Sequence, residues 1–135
     1  MDLLLLLQIF ACFSLTGLIW LIQLVHYPSF KYVSESKFTE FAKFHANRIS
    51  FIVVPLMIVD LGTGLLLMGK YGILNALLAI LIWLSTAIWS VPCHARLQKY
   101  GKDEKCIQRL VLSNWPRTIL WSARSIMWLL VLLKL

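Results

Sequence analysis

The chain has 135 residues, of which 60% are hydrophobic and only 14% charged, with a formal net charge of +7. A water-soluble domain carries about a quarter charged residues, so this composition excludes an ordinary soluble fold. It also argues against nucleic acid as a partner, because no soluble portion remains to carry such an interface.

The apolar residues fall into four runs, about 3–27, 48–69, 73–95 and 108–134. About 20 apolar residues in a helix span the hydrocarbon core of a bilayer. The expected fold is therefore all-α: a single domain over 1–135, forming a membrane-embedded four-helix bundle. The first run opens on "MD", with an acid and no base, and is about twice a signal-peptide core, so it is expected to remain as the first helix. It is read to end at "QLVHYPSF", where Pro28 offers no amide hydrogen and disfavours helix at Tyr27. In "SESKFTEFAKFHANRIS", Phe38, Phe41, His45 and Arg48 follow helical spacing, giving an interfacial extension from about 36 that feeds the second span. Pro55 should bend that span. "LLLMGKYG" reads as a short turn, making a hairpin of the second and third spans. The third ends near "SVPCHARL", and the polar "QKYGKDEKCIQ" leads to the fourth. Cys12, Cys93 and Cys106 are expected as free thiols, and no internal repeat is read.

Lysine and arginine gather at two of the three connections. Lys31, Lys37, Lys43 and Arg48 flank the first, and Arg96, Lys99, Lys102, Lys105 and Arg109 the third, whereas the second has only Lys70. The positive-inside rule then places loops 28–47 and 96–108 in the cytoplasm and both termini on the extracytoplasmic side, in a bacterial inner membrane.

The polar residues inside the spans carry the functional argument. On the fourth run Asn114, Arg117, Trp121, Arg124 and Trp128 recur at steps of three and four, along one helical face. An arginine near a helix centre costs roughly 2.5–3.5 kcal/mol on the insertion scale, so both arginines need partners inside a bundle. Asp60 is the only acid within an apolar run, at a depth similar to that of Arg124, and the two are expected to pair. The pair is either structural or part of a substrate or proton site. His26, His45 and His94 end or open three spans at the same side, and Asn114 and Arg117 enter from that side on the fourth. Imidazoles so placed are candidate bases or candidate ligands for zinc, iron, copper or haem. Gln23 is one turn from His26, while Trp83 and Trp121, with Trp20 and Trp128, can line a flat apolar cavity for a lipophilic small molecule. Gly62 and Gly64 permit close helix approach or a homo-oligomer.

"HYPSF", "FHANR", "VPCHARL" and "NWPRTILWSAR" together resemble the small four-helix membrane proteins of the anthrone-oxygenase-like group. Pro92, His94 and Leu97 match a helix-3 pattern of that group, with His where it has Asn, and Asn114, Arg117 and Arg124 resemble its helix 4. The resemblance implies oxidation of a phenolic or quinone-like compound at the membrane. A looser likeness, through His26 and His45, is to small haem-handling membrane oxidases. The resulting expectation is a membrane redox enzyme in which His26, His45, His94, Asn114 and Arg117 are catalytic. Asp60, Arg124, Trp121, Trp83 and Gln23 would bind substrate. A haem- or metal-binding module and a small proton-coupled transporter are the alternatives.

Overall fold

The computed structural model describes residues 2–134. Four long helical rods dominate: α1 (Leu3–Tyr32), α2 (Glu35–Leu66), α3 (Ile73–Tyr100) and α4 (Glu104–Leu132). Each of α1 and α3 neighbours both α2 and α4, so the rods close a ring around a common interior. The first three are long and apolar enough to cross a membrane. Outward-facing Phe10, Leu24, Phe51, Ile58, Leu66 and Ile88 are all more than half exposed, a surface suited to hydrocarbon and not to water. These are the features of an integral membrane protein. The fourth rod is equally long, but its arginines and neighbouring polar residues lower its average apolarity below that of the other three.

The rods outrun their sequence-based limits. Proline at 28 predicts an end to the first span near 27, and Pro92 lies in the last turns assigned to the third, yet α1 continues to Tyr32 and α3 to Tyr100. The reason is local. A π-helical turn covers Ile22–His26 and another covers Thr86–Ser90, and each has a proline two residues after it ends. The wider turn makes room where a proline ring would otherwise collide with the carbonyl one turn back. The helix therefore continues beyond the proline instead of stopping. Similarly, the extension before the second span is one unbroken helix from Glu35, and Pro55 lies within it.

The connections are short as a result. Gly101, at φ 83°, ends α3, and Asp103 starts α4 by accepting the Cys106 amide at 3.1 Å. That amide, followed by the Arg96 guanidinium at 2.9 Å, holds the Asp103 carboxyl below the usual carboxylate range. The cap is therefore intact above that range and is lost as acid protonates it. Lys102 donates to the carbonyls of Lys31 (2.7 Å) and Val33 (2.9 Å), fastening this connection to the end of α1. At the opposite end Gly72, at φ 86°, makes the turn into α3.

The interior has two apolar clusters. One, near the first and third connections, contains Tyr27, Phe30, Phe38, Leu97 and Leu110. The other, nearer the chain termini, contains Leu5, Leu15, Met57, Ile82, Trp121 and Trp128. Gly64 sits where α2 approaches α1 and α3. A methyl group there would lie 3.1 Å from both Asn75 Nδ2 and Gln8 Oε1, side chains that are themselves hydrogen-bonded and buried. Gly64→Ala should therefore lower unfolding stability in detergent by about 1–3 kcal/mol. Gly62→Ala, which meets nothing within 4 Å, should leave it unchanged or slightly raised.

Candidate functional site

Two polar layers cross the interior, and they differ in whether their hydrogen bonds are complete. The first lies toward the end that carries the Gly72 turn. Arg124 forms a two-pronged ion pair with Asp60, its Nη2 donating at 2.8 Å and its Nη1 reaching the other carboxylate oxygen. Arg124 Nε donates to Asn75 Oδ1 at 2.9 Å, and Trp128 Nε1 to the same oxygen at 3.2 Å. Gln8 Nε2 donates to Asp60 at 2.7 Å, and Thr63 donates to Gln8 at 3.1 Å. Arg124 and Gln8 are 0% exposed and Asp60 2%. Gln8, Asp60, Asn75 and Arg124 come one from each rod, and none of their polar atoms is left without a partner. The network is a closed lock.

The second layer lies at the end of the first and third connections. His26 Nε2 and His45 Nδ1 share a hydrogen bond at 2.7 Å, and the His45 and His94 rings are 5.2 Å apart. Tyr27 Oη and His94 Nε2 are 3.0 Å apart. On α4, Asn114 donates to Gln23 Oε1 at 2.9 Å and accepts from Arg117 Nη2 at 2.6 Å, while Gln23 also donates to the Val111 carbonyl. Here the bonding is incomplete. Of five buried side-chain atoms with no partner among the described residues, four are His45 Nε2, Ser90 Oγ, Arg117 Nε and Trp121 Nε1, and the fifth is Ser85 Oγ, a turn before Ser90 on α3. A buried polar group left unpaired costs about 1–3 kcal/mol, so four in one region ask for an occupant.

An apolar cavity of about 370 Å³ is walled in part by three of these residues, Ser90, Arg117 and Trp121, together with Tyr27, His94 and Trp83, although the unpaired atoms themselves are covered. The π-turn of α3 creates it. Rod α2 meets α3 on both sides of that turn, while the turn itself packs on α4. Ser50, Val54, Val91 and Ala95 line the cavity and are exposed on the molecule's outer face, giving an opening between α2 and α3. The volume falls in the range of small-molecule sites.

The five residues expected on one face of α4 are all buried, as that spacing requires. Of the residues expected to bind substrate, Trp83 and Trp121 are on the cavity wall. Gln23 is behind it, holding Asn114, and Asp60 and Arg124 belong to the lock one turn beyond Trp121. Trp128 is also in the lock, and Trp20 is partly exposed, bonded to Ser122 at 3.0 Å. His94 reaches the cavity, whereas His26 and His45 stand behind Tyr27. The expected three-histidine metal site is not formed. Among the described residues no group of three His, Cys, Asp or Glu side chains is arranged around a metal position. His26 and His45 point a nitrogen at each other, and His94 points one at a phenol. Tyr27, Gln8 and Asn75 were missed by sequence reasoning. Gln8 and Asn75 carried a signal, Asn75 as the one amide of its apolar run and Gln8 as one of two in the first, while Tyr27 was hidden by its place beside Pro28.

No family model matches the chain, and no curated protein or solved structure is significantly similar to it.

The lock makes a separable prediction. Asp60→Leu alone strands a buried guanidinium and should cost about 3–5 kcal/mol. Asp60→Leu with Arg124→Leu removes both charges and should recover most of that loss. Unfolding in mixed detergent micelles, read by circular dichroism, measures the wild type and both variants.

Proposed function

We propose that this chain is a four-span membrane enzyme that binds a flat, lipophilic compound bearing a phenolic or quinone-like oxygen and assists its oxidation. One observation carries the reading: Ser90, Arg117 and Trp121, each holding a buried polar atom without a partner, wall one apolar cavity that also contains His94, so that a small side-chain rotation presents those atoms to a ligand. Two of these groups are donors only, and one belongs to a cation. The complement to such a wall is an oxygen acceptor on an otherwise apolar body. A neutral carbonyl would accept from Trp121 and Ser90, and a phenolate would also offset the Arg117 charge. The opening between α2 and α3 faces hydrocarbon in this reading, which suits a compound that travels in the bilayer. The resemblance to the anthrone-oxygenase-like group supports the same compound class.

The chemistry supplied by the chain itself is proton transfer and charge stabilisation. Oxidising a hydroquinone to a quinone removes two protons and two electrons. His94, hydrogen-bonded to Tyr27, accepts a proton from the ligand hydroxyl, and the His26–His45 pair extends the path for protons toward the connections. Arg117, held by Asn114, stabilises the oxyanion that forms. The electrons pass to an oxidant from outside the chain, such as dioxygen, which takes up the two electrons and two protons as hydrogen peroxide.

A second reading rests on a different atom. His45 Nε2 is buried and unpaired, a free imidazole nitrogen of the kind that ligates iron or copper, as a haem- or metal-binding module would use. An absorption spectrum and metal analysis of the detergent-purified protein decide it: a Soret band or a stoichiometric metal lost in His45→Ala supports it, and a colourless, metal-free protein removes it.

For the main reading, 1,4-naphthoquinone binding is measured by calorimetry in detergent. Trp121→Phe and Ser90→Ala should each weaken it by about tenfold or more, the equivalent of one lost buried hydrogen bond. His94→Gln should retain binding but slow dioxygen-dependent oxidation of 1,4-naphthohydroquinone. Unchanged binding in both cavity variants would overturn the reading.

A further inference from the structure

A second cavity, of about 560 Å³, lies outside the site just described, between the end of α3 and the start of α4. Its rim carries four cations, Arg96, Lys99, Lys105 and Arg109, and a single acid, Asp103. That acid is already committed: one oxygen accepts from Arg96 and the other from the Cys106 amide. Lys99, Lys105 and Arg109 form no ion pair among the described residues. Three cations thus surround one concavity with no anion to offset them.

The floor is of a different character. Cys93 and Cys106 lie at its base with both thiols buried, while Pro92 and Ala95 line it and are exposed. One helical turn toward the middle of α3 lies Trp89, 48% exposed, whereas Leu112 of α4 borders a different cavity, against α1. The feature is therefore a basic cup with an exposed aromatic side chain one turn beyond it, at the level where a bilayer's headgroups would meet rods of this length. A cup for a free soluble anion has no need of that apolar neighbour. A lipid with an anionic phosphate headgroup uses both, its phosphate among Lys99, Lys105 and Arg109 and its acyl chain along Trp89.

We propose that the α3–α4 cup is a binding site for the phosphate headgroup of an anionic lipid. It does not depend on the ligand assigned to the inner cavity. The full chain is reconstituted with mixtures of phosphatidylglycerol and phosphatidylcholine, and the retained lipid is quantified by native mass spectrometry. The wild-type chain should retain phosphatidylglycerol in preference to phosphatidylcholine, and the preference should fall at least tenfold in Lys99→Gln/Lys105→Gln/Arg109→Gln. A control variant, Lys37→Gln/Lys43→Gln, alters exposed cations of α2 outside the cup and should keep the preference. These five side chains are all exposed, so both variants should fold, and circular dichroism checks that. Equal retention of the two lipids by the wild type, or equal loss in the two variants, would overturn the proposal. A further arm titrates inorganic phosphate alone. Saturable phosphate binding that the triple variant loses, with no lipid preference in the wild type, would assign the cup to a free anion and overturn its assignment to lipid.

Discussion

In an apolar surrounding a guanidinium and a carboxylate are tolerable only together, and Asp60 and Arg124 meet that condition with an amide from each of the two remaining rods. The geometry leaves little freedom. Sliding any rod by one turn, about 5.4 Å, would separate a donor from its acceptor where no water can replace it. The network therefore sets the axial register of all four rods, and that register determines what meets at the opposite end. Tyr27 lies nineteen positions after Gln8 on α1, and His94 the same number after Asn75 on α3. With the two amides joined through Asp60, Arg124 and Thr63, the phenol and the imidazole arrive at hydrogen-bonding distance.

The two layers share a composition of Arg, Asn or Gln, Trp and Thr, yet one is closed and the other open. The difference lies in the backbone. Around the lock the rods are regular α-helix, and their side chains meet directly. Around the second layer both α1 and α3 contain a π-turn with a proline beyond it. Each π-turn inserts a residue and rotates the rest of its rod, which brings Tyr27 and His94 inward while it holds α3 away from α2. The cavity is the space so left. This paired device is a structural echo between α1 and α3, and no sequence repeat announces it.

The same contrast explains what the sequence disclosed and what it concealed. Periodicity was enough to place the α4 stripe inside, because the steps from Asn114 to Trp128 fit a regular helix and α4 is regular. The lone acid at Asp60 led to Arg124 because lipid offers a charge no other partner. The helices run past the limits expected at Pro28 and Pro92 because proline is tolerated inside a packed rod: α1 and α3 accommodate it beyond a π-turn, and α2 and α4 carry Pro55 and Pro116 within α-helix. An expected helix end at Tyr27 hid that residue. The metal expectation rested on counting imidazoles at one level, but level alone does not orient their nitrogens. Rotation about the side-chain bonds turned two of them toward each other.

The composition of α4 makes physical sense only against its surroundings. A hydropathy average treats every side chain as though lipid met it, and on that measure α4 is the least membrane-like rod. Yet Asn114, Arg117, Thr118, Arg124 and Ser125 are buried, and the side chains it turns outward in the same stretch are apolar, Trp115, Pro116, Ile119, Ala123 and Ile126, with Leu129 and Leu130 beyond. Inside the bundle Arg124 is neutralised by Asp60, so the insertion cost assigned to an isolated helix does not apply to the assembled one. Arg117 is different: its hydrogen-bond acceptor is the neutral amide of Asn114. Of the two arginines that make this rod polar, one completes the structure, and the other leaves a buried positive charge beside an apolar cavity. That residual charge is the physical reason to expect an electron-rich oxygen there.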